Sequence, residues 1–112
     1  RHQDMVNIGG KRGSLADLNR CLLAIEGVVD GVIFQPDDQT ERLAAMVVSP
    51  GLTASQILKK LKLEVDAVFL PRPVYLVQEL PRQETGKLAN NGVMGLYREL
   101  VAAKNSGNRN HT

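Results

Sequence analysis

The chain has 112 residues, 43% hydrophobic and 23% charged, which suits one globular domain burying about two-thirds of its unfolded surface. Fourteen basic and twelve acidic residues leave a net charge of +2, and aromatics make up only 4%, with no Trp. That balance argues against nucleic-acid binding, which needs a basic face and, for single strands, aromatic stacking platforms.

A lone cysteine, Cys21, rules out an internal disulfide and fits a reducing, cytoplasmic setting. No apolar run reaches the length of a membrane span, and the N-terminus lacks a charged-then-apolar signal segment. Arg1 stands where a start Met is usual, so this end reads as a cut.

Residues 1–4 are polar and belong at an exposed edge. Met5 to Ile8 reads as a short strand, and Gly9-Gly10 before Lys11-Arg12 signals a tight hairpin, because primed turns need positive φ. Ser14 with Asp17 marks a helix start. Leu15, Leu18, Leu22 and Ile25 then share one helical face, with Cys21 beside it as a buried, inert thiol. Gly27 is the expected stop. Val28 to Gln35 reads as a strand. The Asp37/Asp38 pair lacks a second acidic cluster, so it reads as part of a solvated turn, and no metal site is expected. Arg42 to Val48 is a second strand, antiparallel to the first.

Thr53 and Gln56 form a capping box for a short helix that buries Ile57, Leu58 and Leu61. Lys59, Lys60 and Lys62 lie in its last turns, where they complement the helix dipole as a solvated face. Val68 to Leu70 is expected to be extended. Pro71-Arg72-Pro73 stiffens the approach to a third strand, Val74 to Val77.

Leu80-Pro81-Arg82-Gln83-Glu84-Thr85-Gly86-Lys87-Leu88 follows. Pro81 lacks an amide donor and ends the strand. Gly86 allows close backbone approach to a ligand. Lys87 is then a compact positive charge on a constrained loop, suited to a phosphate or carboxylate. The same pattern also describes a solvated turn. Asn91 caps a last helix whose Val93, Tyr97, Leu100, Val101 and Lys104 share a face, and residues 105–112 form a polar, frayed tail. The order is hairpin, helix, strand, strand, helix, strand, loop, helix. It specifies a small α+β domain with an N-terminal β-hairpin and a roughly three-stranded sheet packed by helices.

Two segments carry a family resemblance. Residues 1–18, from Arg1-His2-Gln3-Asp4 through Gly9-Gly10-Lys11-Arg12 to Leu18, resemble the start of the C-terminal domain of the adenylate-forming enzymes. These are the AMP-dependent acyl-CoA synthetases, with peptide-synthetase adenylation domains and luciferases. Leu80 to Leu88 looks like the family's last motif, Pro-Arg-x-x-x-Gly-Lys. The resemblance covers nearly the whole chain, and Val6-Asn7-Ile8 looks closest to the acyl-CoA synthetase branch.

The resemblance implies that residues 1–112 are the mobile C-terminal domain of a two-domain ligase, with a hinge at 1–4 and a tail at 105–112. Such enzymes make an acyl-adenylate from ATP and a carboxylic acid. They then pass the acyl group to CoA or to a phosphopantetheine carrier, and the family implies Mg2+. Lys87 matches the adenylation lysine, supported by Pro81, Arg82 and Gly86. Gln3 falls where the hinge Asp or Lys is usual, with Asp4 after it, so a charge-dependent hinge role is in doubt. Gly9 and Gly10 match the hairpin that lines the pantetheine tunnel; a plain turn glycine is the competing reading. Arg12 matches a basic residue near the nucleotide phosphates, or is a solvated arginine. Asn90 stands where many relatives carry Arg. The family's phosphate loop, adenine pocket and acid pocket have no counterpart in this sequence, and GxxxxGK[ST] is absent. The chain alone is therefore expected to be inactive or nearly so, working with a large N-terminal adenylation domain. The alternative is a non-catalytic α+β module for interaction or regulation.

Overall fold

The computed structural model describes residues 5–36, 42–82 and 90–110. The chain divides into two compact units, Arg1–Glu79 and Leu80–Thr112.

In the first unit, β1 (Met5–Ile8) and β2 (Lys11–Ser14) pair antiparallel as the expected hairpin. Alternation decides its inner face: Val6 and Ile8 are buried, while Met5 and Asn7 are exposed. Ser14 Oγ accepts a hydrogen bond from the Asp17 amide and starts α1 (Leu15–Leu23). The helix ends earlier than its apolar stripe implies. Ala24 is the C-cap, and Ile25 lies beyond the helix yet still packs against the core. Gly27, at φ +102°, turns the chain after the helix rather than capping it.

The three-stranded sheet has the order β3-β4-β5, from β3 (Asp30–Phe34), β4 (Ala44–Val48) and β5 (Val74–Leu76). β3 and β4 pair antiparallel, as expected of near neighbours, while β5 joins β4 parallel. Between β4 and β5 runs α2 (Ala54–Lys62), started by the capping box. Thr53 Oγ1 accepts from the Gln56 amide, and Gln56 Oε1 accepts from the Thr53 amide. Segment 68–70 is extended only at Leu70. Ala67–Phe69 forms a 3-10 turn, with the Phe69 amide donating to the Asp66 carbonyl. A short turn here swings Phe69 into the core before Pro71, whereas a strand would have alternated its side chains.

Leu18 and Leu22 of α1, Ile57 and Leu61 of α2, and Ile33, Ala45 and Val47 of the sheet form one cluster with Val6, Ile8, Leu43 and Phe69. The hairpin is therefore built into the main core.

Asn19 closes the outer edge of β3. Its Nδ2 donates to the Ile33 carbonyl at 3.1 Å, and its Oδ1 accepts from the Ile33 amide at 2.7 Å. A helix side chain thus takes the place of a fourth strand and blunts an edge that invites pairing. Asn19→Ala should cost about 1–3 kcal/mol, because both Ile33 groups lose their partner. Urea denaturation measures that loss, and light scattering should report increased self-association.

In the second unit, α3 (Asn90–Asn110) begins one residue before the expected cap and runs past residue 105. Among the described residues, no helix is long and apolar enough to cross a membrane.

Candidate functional site

The hairpin tip is a two-residue turn with Gly9 at φ +58° and Gly10 at φ +83°. Both signs match a primed turn, whose twist suits a β-ribbon and which side-chain-bearing residues other than Asn or Asp rarely adopt. A Cβ placed on Gly10 would meet no atom within 4 Å, so the tip is open. Asn7 and Arg12 are directly opposed across the ribbon. Both are exposed, and with Met5 and Val6 they line an open groove of about 360 Å³. An arginine and a carboxamide side by side supply donors for an anionic or polar group.

The other face of the ribbon lies on residues 66–69. Lys11 Nζ sits 3.4 Å from Asp66 Oδ2, and both side chains are more than half exposed. Such a pair adds at most about 1 kcal/mol of stability. Gly13 approaches the Phe69 ring so closely that a Cβ there would lie 2.8 Å from Cζ. Neither Gly13 nor Phe69 was singled out by sequence reasoning. The signal present was a glycine inside a strand, which marks close approach by another group.

In the second unit, Pro81 and Arg82 lead into the lysine loop and α3 receives it at Asn90. Gly86 and Lys87 lie outside the described residues, as do Gln3, Asp4 and the Asp37/Asp38 pair. What the structure does show is the base of the loop. A Cβ on Gly92 would stand 3.2 Å from Pro81 Cβ and 3.3 Å from its Cγ. The proline ring therefore rests against the first turn of α3. Gly92 was also missed, because a glycine near a helix start carries no partner information by itself.

Cys21 is half-buried rather than buried as expected, and packs against the core. It borders an open groove of about 500 Å³ between the ends of α1 and α2, with Arg20, Glu26, Lys60 and Glu64 at the rim. Among the described residues, no three His, Cys, Asp or Glu side chains come together as a metal site.

No protein-family model matches the chain. It is 28% identical over 114 residues to the oxalate–CoA ligase of Saccharomyces cerevisiae, covering 97% of this chain and 20% of that protein. It is 28% identical over 96 residues to the acetyl-coenzyme A synthetase of Mycobacterium tuberculosis, covering 79% and 15%. Among solved structures, the Mycobacterium tuberculosis fatty acyl CoA synthetase superposes with a TM-score of 0.74 at 25% identity, over 87% of this chain and 20% of that one. The chain thus spans a fifth or less of the length of these proteins.

Proposed function

From the AMP-dependent acyl-CoA synthetase/ligase family, to which these relatives and structural neighbours all point and whose C-terminal region the chain matches, we propose that this domain serves both half-reactions of such a ligase. In the first, a carboxylate oxygen attacks the α-phosphorus of ATP, the bond to pyrophosphate breaks, and pyrophosphate leaves with the electron pair. The Lys87 ammonium stands between the attacking carboxylate and the phosphate, where negative charge concentrates. It orients both and stabilises the transition state. Pro81, Arg82 and Gly86 set the loop that carries it.

In the second half-reaction, the thiol of CoA, or of a phosphopantetheine carrier, loses its proton and attacks the acyl carbon, and AMP departs. Gly9 and Gly10 form the wall of the thiol's path, and Arg12 meets phosphate groups. Residues 1–4, with Gln3 and Asp4, act as the pivot between the two poses. The large N-terminal adenylation domain supplies most contacts to ATP, Mg2+ and the acid, so the 112 residues alone should show little or no ligase activity.

The hairpin tip carries this reading. It is bare of side chains, left-handed at both turn residues, and flanked by an exposed arginine. Gly10→Asn tests it in the full-length protein that carries this chain. Asn tolerates the left-handed backbone but adds a side chain at the tip. Thioester formation should fall at least roughly tenfold while ATP–pyrophosphate exchange persists. Unchanged thioester formation would remove Gly10 from the thiol path. Absence of exchange in the wild-type protein with every acid in a broad panel would favour a non-catalytic module.

A further inference from the structure

Two contacts and one looser approach join the hairpin to one four-residue segment, and they run from tip to base. At the tip, a Cβ on Gly9 would be 3.8 Å from Val68 Cγ1. In the middle, Lys11 meets Asp66. Toward the base, Gly13 lies on the Phe69 ring, where a Cβ would fall 2.8, 3.0 and 3.3 Å from Cζ, Cε1 and Cε2. Gly13 is not among the positive-φ glycines, so its backbone asks for no glycine; the space taken by the ring does.

The segment beneath is held firmly. The Phe69 amide donates to Asp66 O at 3.0 Å and the Leu70 amide to Ala67 O at 3.2 Å. Phe69 is only 7% exposed. Just beyond, Pro71 is fully buried and the Arg72 amide donates to Leu43 O at 2.7 Å, beside the central strand. A ribbon of two four-residue strands has little stability of its own. Its direction must come from what it rests on.

We infer that Phe69, fitted to the bare backbone of Gly13 and assisted by the Lys11–Asp66 pair, is a positioning residue that fixes the height and angle of the Gly9-Gly10 tip. The inference rests on the thiol-transfer role proposed for that tip. At 7% exposure Phe69 has little surface to offer a substrate. It acts through the hairpin, and only the half-reaction that uses the hairpin should feel it.

The test uses the full-length protein with Phe69→Ala, Gly13→Ala and the double variant Gly13→Ala/Phe69→Leu. Three readouts are taken: amide hydrogen exchange in β1 and β2, ATP–pyrophosphate exchange, and CoA thioester formation. Phe69→Ala should speed hairpin amide exchange about tenfold while β3 and β4 keep their protection. Thioester formation should fall on the order of 10- to 100-fold, with pyrophosphate exchange within about twofold of wild type. Gly13→Ala should repeat the pattern, and the double variant should recover, because a leucine leaves room for the added methyl. Unchanged hairpin protection, an equal fall in both half-reactions, or failure of the double variant to recover would overturn the inference. A wild-type protein with no pyrophosphate exchange would sink the ligase reading instead. Hairpin hydrogen exchange and its recovery would then decide alone whether Phe69 sets the ribbon.

Discussion

Lys87→Ala should lower ATP–pyrophosphate exchange by the full-length protein by about 10²–10³. In the proposed mechanism the variant removes one positive charge from the point where carboxylate and α-phosphate meet, and water screens poorly in a closed site. Lys87→Arg should recover only part of the loss. The guanidinium keeps the charge but spreads it over a planar fork, which does not fit between two reacting groups as a compact ammonium does. Thioester formation from an added acyl-adenylate should stay near wild type, since the proposed role of the lysine belongs to the first step only. Thermal unfolding should not move if the loss is catalytic rather than structural. Pyrophosphate exchange that survives the substitution would strip Lys87 of the role, whatever the fold. The pinned contact of Pro81 with Gly92 gives a second handle on the same loop. A larger residue at 92 would push against a rigid ring and displace the loop base.

Leu22→Ala should cost about 2–5 kcal/mol of stability. Leu22 is 0% exposed and sits where α1 crosses β3, its Cδ2 only 2.8 Å from where a Cβ on Gly31 would lie. The leucine fills the notch left by that glycine, so truncation opens a cavity between helix and sheet that the rigid strand cannot close. The urea midpoint should fall by roughly 1–3 M with an unchanged slope. Gly31→Ala should destabilise from the opposite direction, by overpacking, at about 1–3 kcal/mol. Combined with Leu22→Ala, the added methyl should occupy part of the cavity, so the double variant should lose less than the two singles together. Strict additivity would mean that Leu22 and Gly31 do not share that space.

The sequence alone determined the features written in neighbouring residues. Gly9-Gly10 specified a primed hairpin turn because only residues tolerating positive φ fit there. Ser14 with Asp17 and Thr53 with Gln56 specified two helix starts, since a capping bond spans three residues. The spacing of Leu18 and Leu22, and of Ile57 and Leu61, specified which helix faces are buried. The family resemblance was legible too, since the relatives and structural neighbours point to acyl-CoA synthetases and ligases. The tertiary structure decided what depends on residues far apart in the chain. Asn19 closes the edge at Ile33 across 14 residues, and Lys11 reaches Asp66 across 55. Segment 68–70 reads as strand-like from Val, Phe and Leu, but burial of Phe69 against Gly13 outweighs that preference and draws Val68 and Phe69 into the 3-10 turn Ala67–Phe69, leaving only Leu70 extended. Ile25 continues the stripe of α1, yet the helix ends at Leu23, because an apolar residue can reach the core from a turn as well as from a helix. Periodicity records that a side chain is buried; only the packed molecule shows against what.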